Sequence, residues 1–159
     1  MIKSLEISSL FVCNSNKSHK SSLLITDGKK YQIVNINLNG NEISASEKVF
    51  LVDGGELNIT GKGTIKETKP NYGAIMVKGS GDPNDKGYSV VNVSKDVTLE
   101  GWSGIFITHN NSKSYGVDVS FAGKINSVND TSGETGVGIY VNGKIKDNVV
   151  KSLCKDICD

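Results

Sequence analysis

The chain has no arginine: all 18 of its basic residues are lysine. Bidentate clamps on carboxylate or phosphate need the planar guanidinium fork, so this chain acting alone has none. Cysteine is scarce as well. Cys13, Cys154 and Cys158 sit near the two ends, and an odd count leaves one unpaired, so no disulfide framework is expected to hold the fold. No apolar stretch approaches the roughly 18 residues that cross a bilayer, which argues against membrane insertion. A net charge of +1, with lysines interspersed among 17 acidic residues, gives no broad field for nucleic acid or anionic lipid. The first 13 residues carry one lysine, a short apolar run broken by Ser8 and Ser9, and no small-residue cleavage pattern, so no signal peptide is recognisable.

Glycine, by contrast, is plentiful at 18 residues, with 36% hydrophobic residues in a 159-residue chain that suits one domain and one core. From residue 31 to residue 148, apolar and polar residues alternate in short bursts: Ile36-Asn37-Leu38, Phe50-Leu51-Val52, Leu57-Asn58-Ile59, Val91-Asn92-Val93, Val97-Thr98-Leu99 and Val117-Asp118-Val119. A period of two is that of half-buried strands. Between the bursts stand Asn39-Gly40-Asn41, Asp53-Gly54-Gly55, Gly61-Lys62-Gly63, Ser94-Lys95-Asp96 and Asn142-Gly143-Lys144, which let the backbone turn.

The bursts repeat. Placing Gly73-Ala74-Ile75-Met76-Val77 under Gly104-Ile105-Phe106-Ile107-Thr108 gives a glycine-to-glycine step of 31 residues, and Gly136 or Gly138 opens another unit at a similar distance. A period in this range marks a solenoid. Sandwiches and meanders also have many short strands, but here tight turns recur at one corner while long polar loops, such as residues 78–87 and 109–114, interrupt another. A coiled chain explains that asymmetry, because any corner can extrude a loop without disturbing the stacked strands. The expected fold is all-β, a right-handed parallel β-helix of about four to five coils over residues 31–148. Residues 1–30 are expected to form a cap at one end. At the other, residues 149–159 place Val149, Val150, Leu153, Cys154 and Ile157 on one helical face and predict a short amphipathic cap helix.

Residues 36–40, 49–65 and 72–77 (INLNG, VFLVDGGELNITGKGTI and YGAIMV) resemble the pectin-lyase-like β-helix repeats of secreted and wall-attached proteins from low-GC Gram-positive bacteria. The resemblance spans about three quarters of the chain and is specific for fold, since such repeats serve adhesins, stalks, glycan-degrading enzymes and phage tail parts alike. It implies an extracellular or cell-surface location. It also frames three functions: a non-catalytic structural or adhesion module, a fragment of a polysaccharide lyase or glycoside hydrolase, and a phage tail or fibre component.

Alternation sends Ile75, Val77, Ile105, Ile107, Val91, Val93, Val117 and Val119 inward to stack at about 4.8 Å from coil to coil. The outward residue is then Met76 in one coil and Phe106 in the next, with Tyr140 continuing the series if the last coil keeps register; Tyr140 aligns equally well with Asp118. Large side chains facing out make either a platform for sugar rings or a covered seam. Trp102, beside the tight corner of residues 101–104, reads either as a packing wedge, the commoner role, or as a ligand contact. Met76, Phe106, Tyr140 and Trp102 are thus the candidate binding residues, for a glycan or another cell-surface ligand.

Catalytic chemistry has less to draw on. Glycan hydrolysis needs two carboxylates about 5 to 9.5 Å apart, and neighbouring coils could supply that distance. The alignment, however, sets Asp118 against Asn92, one acid and one amide; Glu100 is the other nearby carboxylate, and His19 and His109 are the only histidines. No catalytic residue is assigned. Cys154 and Cys158 have zinc-compatible spacing, but Cys13 and His19, the other possible ligands, lie at the opposite end of the rod. Residues 82–87 (DPNDKG) loosely follow a calcium loop, yet Lys86 stands where an oxygen is wanted. Neither a metal nor a cofactor is expected, and the sequons at Asn58 and Asn92 fall on strands.

Overall fold

The computed structural model describes residues 4–7, 23–26, 32–79, 89–109, 116–142 and 149–152, with side chains for 32–79, 89–108 and 116–142. Strands β1 (Ser4–Ile7) and β2 (Leu23–Thr26) come first. Four turns of three strands follow. The first holds β3 (Ile33–Asn37), β4 (Glu42–Ala45) and β5 (Phe50–Asp53); the second holds β6 (Gly55–Thr60), β7 (Gly63–Glu67) and β8 (Ile75–Gly79). The third holds β9 (Ser89–Val93), β10 (Val97–Gly101) and β11 (Ser103–His109), and the fourth β12 (Val117–Phe121), β13 (Lys124–Ser127) and β14 (Val137–Val141). Strand β15 (Val149–Ser152) opens one turn more.

The chain visits three sheets in the same order each time. The first sheet runs β1-β3-β6-β9-β12-β15, the second β13-β10-β7-β4 and the third β14-β11-β8-β5-β2. Every described pairing between successive turns is parallel. The molecule is therefore the expected right-handed parallel β-helix, the hand that parallel crossovers take almost without exception.

Like residues stack because the pairing is in register. Val34, Leu57, Val91 and Val119 form one inward column of the first sheet, and Ile36, Ile59, Val93 and Phe121 the next. Ile65 and Leu99 continue the core in the second sheet, and Phe50, Ile75 and Ile105 in the third. All of these are buried, and the eight residues expected inward are at most 4% exposed. Outward positions carry polar ties between coils. Asn58 donates to Asn35 (2.8 Å) and Asn92 donates to Asn58 (2.7 Å), a ladder along the first sheet. Lys78 pairs with Asp53 (3.4 Å) on the third sheet and Lys66 with Glu100 on the second.

The corners behave as their glycines predict. Between the first and second sheets the connections are short, residues 38–41, 61–62, 94–96 and 122–123. Gly61 sits at φ 75° with the Asn37 amide packed where a Cβ would be, so only glycine fits there. The coil from Asn35 to Asn58 takes 23 residues and the one from Asn58 to Asn92 takes 34, yet both keep the same inward face. The difference is absorbed in the other two corners. Residues 68–74 and 128–136 bulge between the second and third sheets, and Trp102 alone spans that corner in the coil between them.

One expectation at the C-terminal end is corrected. Val149–Ser152 is a strand paired with β12, not the start of a helix; its consecutive valines find free backbone groups on β12, and that pairing overrides the helical spacing. Residues 153–159 lie outside the described residues. Within 1–30, β1 and β2 pair in parallel with β3 and β5, so two strands of the stack precede residue 31. The repeat alignment also shifts by one: Ile75 pairs with Ile105, so the strand step is one residue shorter than the glycine step.

Inward and outward neighbours on one strand should differ sharply in cost. Leu99→Ala empties a fully buried site and is expected to lower unfolding free energy by about 2–5 kcal/mol, whereas Thr98→Ala stays within about 0.5 kcal/mol, as urea denaturation would read.

Candidate functional site

Alternation on the third sheet puts Leu51, Met76, Phe106 and Tyr140 outward, and the parallel register brings them into one column. Tyr140 thus continues the Met76–Phe106 series and does not align with Asp118. Phe106 and Tyr140 lie 5.0 Å apart between centroids, tilted by 34°. Trp102 adds its ring from the one-residue corner, 5.2 Å from Tyr140 and 6.4 Å from Phe106. The four residues expected to form a surface are brought together as one half-buried seam.

Two further groups join it from loops. Tyr72, in the 68–74 bulge, meets Phe106 edge-on at 6.2 Å and is the one exposed large apolar side chain among the described residues, at 42%. Lys48 Nζ lies 5.4 Å from the centre of the Tyr72 ring, close enough for a cation–π contact, and pairs with Glu47 at 3.4 Å. Loop residues have no strand period to reveal them, so alternation alone does not flag Tyr72 or Lys48. The Trp102 indole N–H is shut off from solvent, with no hydrogen-bond partner among the described residues, and lies among these rings.

Beneath the seam lies a buried carboxylate that the sequence reading passed over. Glu67 ends β7 at an inward position, opposite Ala45, and is 1% exposed. Its Oε1 accepts the backbone N–H groups of Asn71 and Tyr72 (3.2 Å each), and its Oε2 accepts that of Trp102 (3.4 Å). Room for it comes from Gly101, where a Cβ would stand 3.0 Å from Oε2 and 2.9 Å from the Ser103 carbonyl. Burial pushes the Glu67 carboxyl above the usual glutamate range, and the three N–H groups and the charge of Lys48 offset part of that rise. Ser103 ties the same corner by donating to the Tyr72 carbonyl at 2.7 Å.

The other candidate acids stand apart. Asp118 is in register with Val90, and Asn92 with Ser120, so the expected acid–amide pair is not formed. The slip is by two residues, which leaves every inward residue inward and so is invisible to alternation. Glu100 faces out from the second sheet and binds Lys66, whose pKa that hydrogen bond raises first and the attraction of the two charges second. His109 closes β11, with its side chain outside the described part. Cys13, His19, residues 82–87, Cys154 and Cys158 are also outside it. Among the described residues no three His, Cys, Asp or Glu side chains cluster as metal ligands, and no helix is long and apolar enough to cross a membrane.

An open groove of about 340 Å³ runs where the first sheet turns toward the second, lined by Asn58, Thr60, Asn92, Ser94 and Phe121. Its asparagine amides are already engaged in the ladder between coils.

Compared with known proteins, the chain matches no family model, no curated protein and no solved structure. The geometry therefore carries the functional argument.

A methyl group on Gly101 has nowhere to go without displacing Glu67 or the Ser103 backbone. Gly101→Ala is expected to cost about 1–3 kcal/mol in chemical denaturation and to alter the emission of Trp102, the chain's only tryptophan.

Proposed function

We propose that this chain is a non-catalytic β-helix module of an exported or cell-surface protein, a rigid spacer whose third sheet offers an aromatic surface to carbohydrate. The observation that carries the reading is the convergence of Tyr72, Trp102, Phe106 and Tyr140 on one outer face, with Tyr72 open to solvent. Sugar rings present apolar C–H faces that stack on such side chains, while their hydroxyls stay in water. The cluster draws on three neighbouring coils and grows along the rod axis. An extended glycan lying along the rod would cross several coils, each advancing by about 4.8 Å.

The rod supports the spacer role. Its core is largely apolar in the described coils, and the asparagine ladder ties the first three of them together, so the module resists bending between coils. The resemblance to β-helix repeats of Gram-positive surface proteins agrees with export. In the outward column of the first sheet Asp118 and Glu56 stand on either side of Val90, two coils apart, so no two carboxylates of that column lie on adjacent coils; this favours a binding surface over a retaining hydrolase with closely paired carboxylates.

Tyr72→Ala removes an exposed ring without opening the core. On a glycan array followed by calorimetry, the wild type is expected to bind at least one neutral or acidic oligosaccharide, and Tyr72→Ala to bind it about 5–10-fold more weakly at nearly unchanged stability. Turnover of a polysaccharide that disappears in Asp118→Asn would replace this reading with an enzymatic one.

A further inference from the structure

Glu67 is unusual among the inward residues: it is a charged group in a column otherwise filled by small side chains, Ala45 on one side and the space left by Gly101 on the other. Its bonds all run to backbone N–H groups of two separate segments. Asn71 and Tyr72 belong to the 68–74 bulge, and Trp102 is the corner of the next coil. These are the segments that carry the two loop-borne rings of the aromatic seam.

We propose that Glu67 is the positioning residue of this seam: by gathering the N–H groups of Asn71, Tyr72 and Trp102 it sets where the Tyr72 and Trp102 rings stand, and it makes closure of the corner proton-linked. The inference concerns the corner itself and stands whether or not a glycan binds there.

The charged groups around Glu67 leave burial dominant. From the corner after β4 come Glu47 and Lys48, paired with each other, and Lys48 is the cation whose charge acts on Glu67. Lys66 on the same strand faces outward and binds Glu100 of β10. Lys69 in the bulge is exposed, as is Glu134 in the 128–136 loop, where Asp130 is half-buried; that loop touches the bulge through Thr131 and Asn71 at 2.9 Å. The three N–H bonds are long, between 3.2 and 3.4 Å, and restore only part of the hydration that the carboxylate gives up.

The direction of the linkage follows. Swinging the bulge outward would return Glu67 to water and to the ordinary glutamate value of 4.5. The closed corner holds the proton more tightly than the open one, so acid favours closure. Above the ordinary value the closed corner loses that advantage progressively, until the pH passes the closed-state value and opening levels off. A ligand stacked on Tyr72 would inherit this dependence and bind better on the acid side.

Native-state hydrogen exchange at the Asn71, Tyr72 and Trp102 amides, corrected for intrinsic pH effects, reads the opening directly. The expected result is an opening constant that rises by up to about tenfold per pH unit above 4.5 and then flattens, with a matching transition in Trp102 emission. Glu67→Gln keeps the shape of the side chain and should abolish both dependences. Wild-type opening that does not vary with pH above 4.5 would overturn the proposal, as would a Glu67→Gln variant with the wild-type pH profile. If Glu67→Gln does not fold, the wild-type profile decides alone. A side chain that merely filled space would give no such profile.

Discussion

Parallel backbone pairing between each coil and the next is the constraint on which the rest of this molecule depends. Once Ile75 is hydrogen-bonded beside Ile105, and Val91 beside Val119, the period of two fixes which side chains go in and which go out. Each inward position then becomes a column of like residues about 4.8 Å apart, and burial of those columns offsets the entropy of ordering many short strands. The strands themselves are only 4 to 7 residues long. None would be stable singly; stacking makes them a body.

The same register writes the surface. Met76, Phe106 and Tyr140 meet because they occupy one outward column, and the asparagine ladder and the Lys78–Asp53 pair arise in the same way. Corners add what columns cannot. Trp102 and Tyr72 enter the aromatic seam from corner segments of unequal length, which tolerate insertion because the strands on either side are held by their neighbours. Glu67 joins the two levels. It belongs to a strand column, but its carboxylate organises the corner, and Gly101 in the next coil gives it room. Fold stability and the shape of the candidate binding face thus share one buried group.

Much of this was legible in the residues alone. Val-x-Val and Ile-x-Ile triplets announce strands, glycine pairs announce corners, and unequal loops argue for a coil over a sandwich. Met76, Phe106 and Tyr140 were legible as a series because apolar residues at outward positions break the alternation. What escaped has physical causes. A slide of two residues preserves the inward face, so Asp118 could be set against Asn92 when it faces Val90. Val149 and Val150 fit a helical stripe as well as a strand, and only the adjacent β12 decides between them. Glu67 gives no signal in sequence, since a glutamate that ends a strand is ordinarily solvated and its burial depends on Gly101 one coil away.

Backbone proton contacts measured by nuclear Overhauser spectroscopy test the stacked register most directly. Parallel coils predict contacts of Val91 with Val119 and of Val93 with Phe121, so that the offset stays constant along the strand. Crossed contacts, Val91 with Phe121 and Val93 with Val119, would mean antiparallel strands and contradict the columns, the aromatic seam and the role given to Glu67.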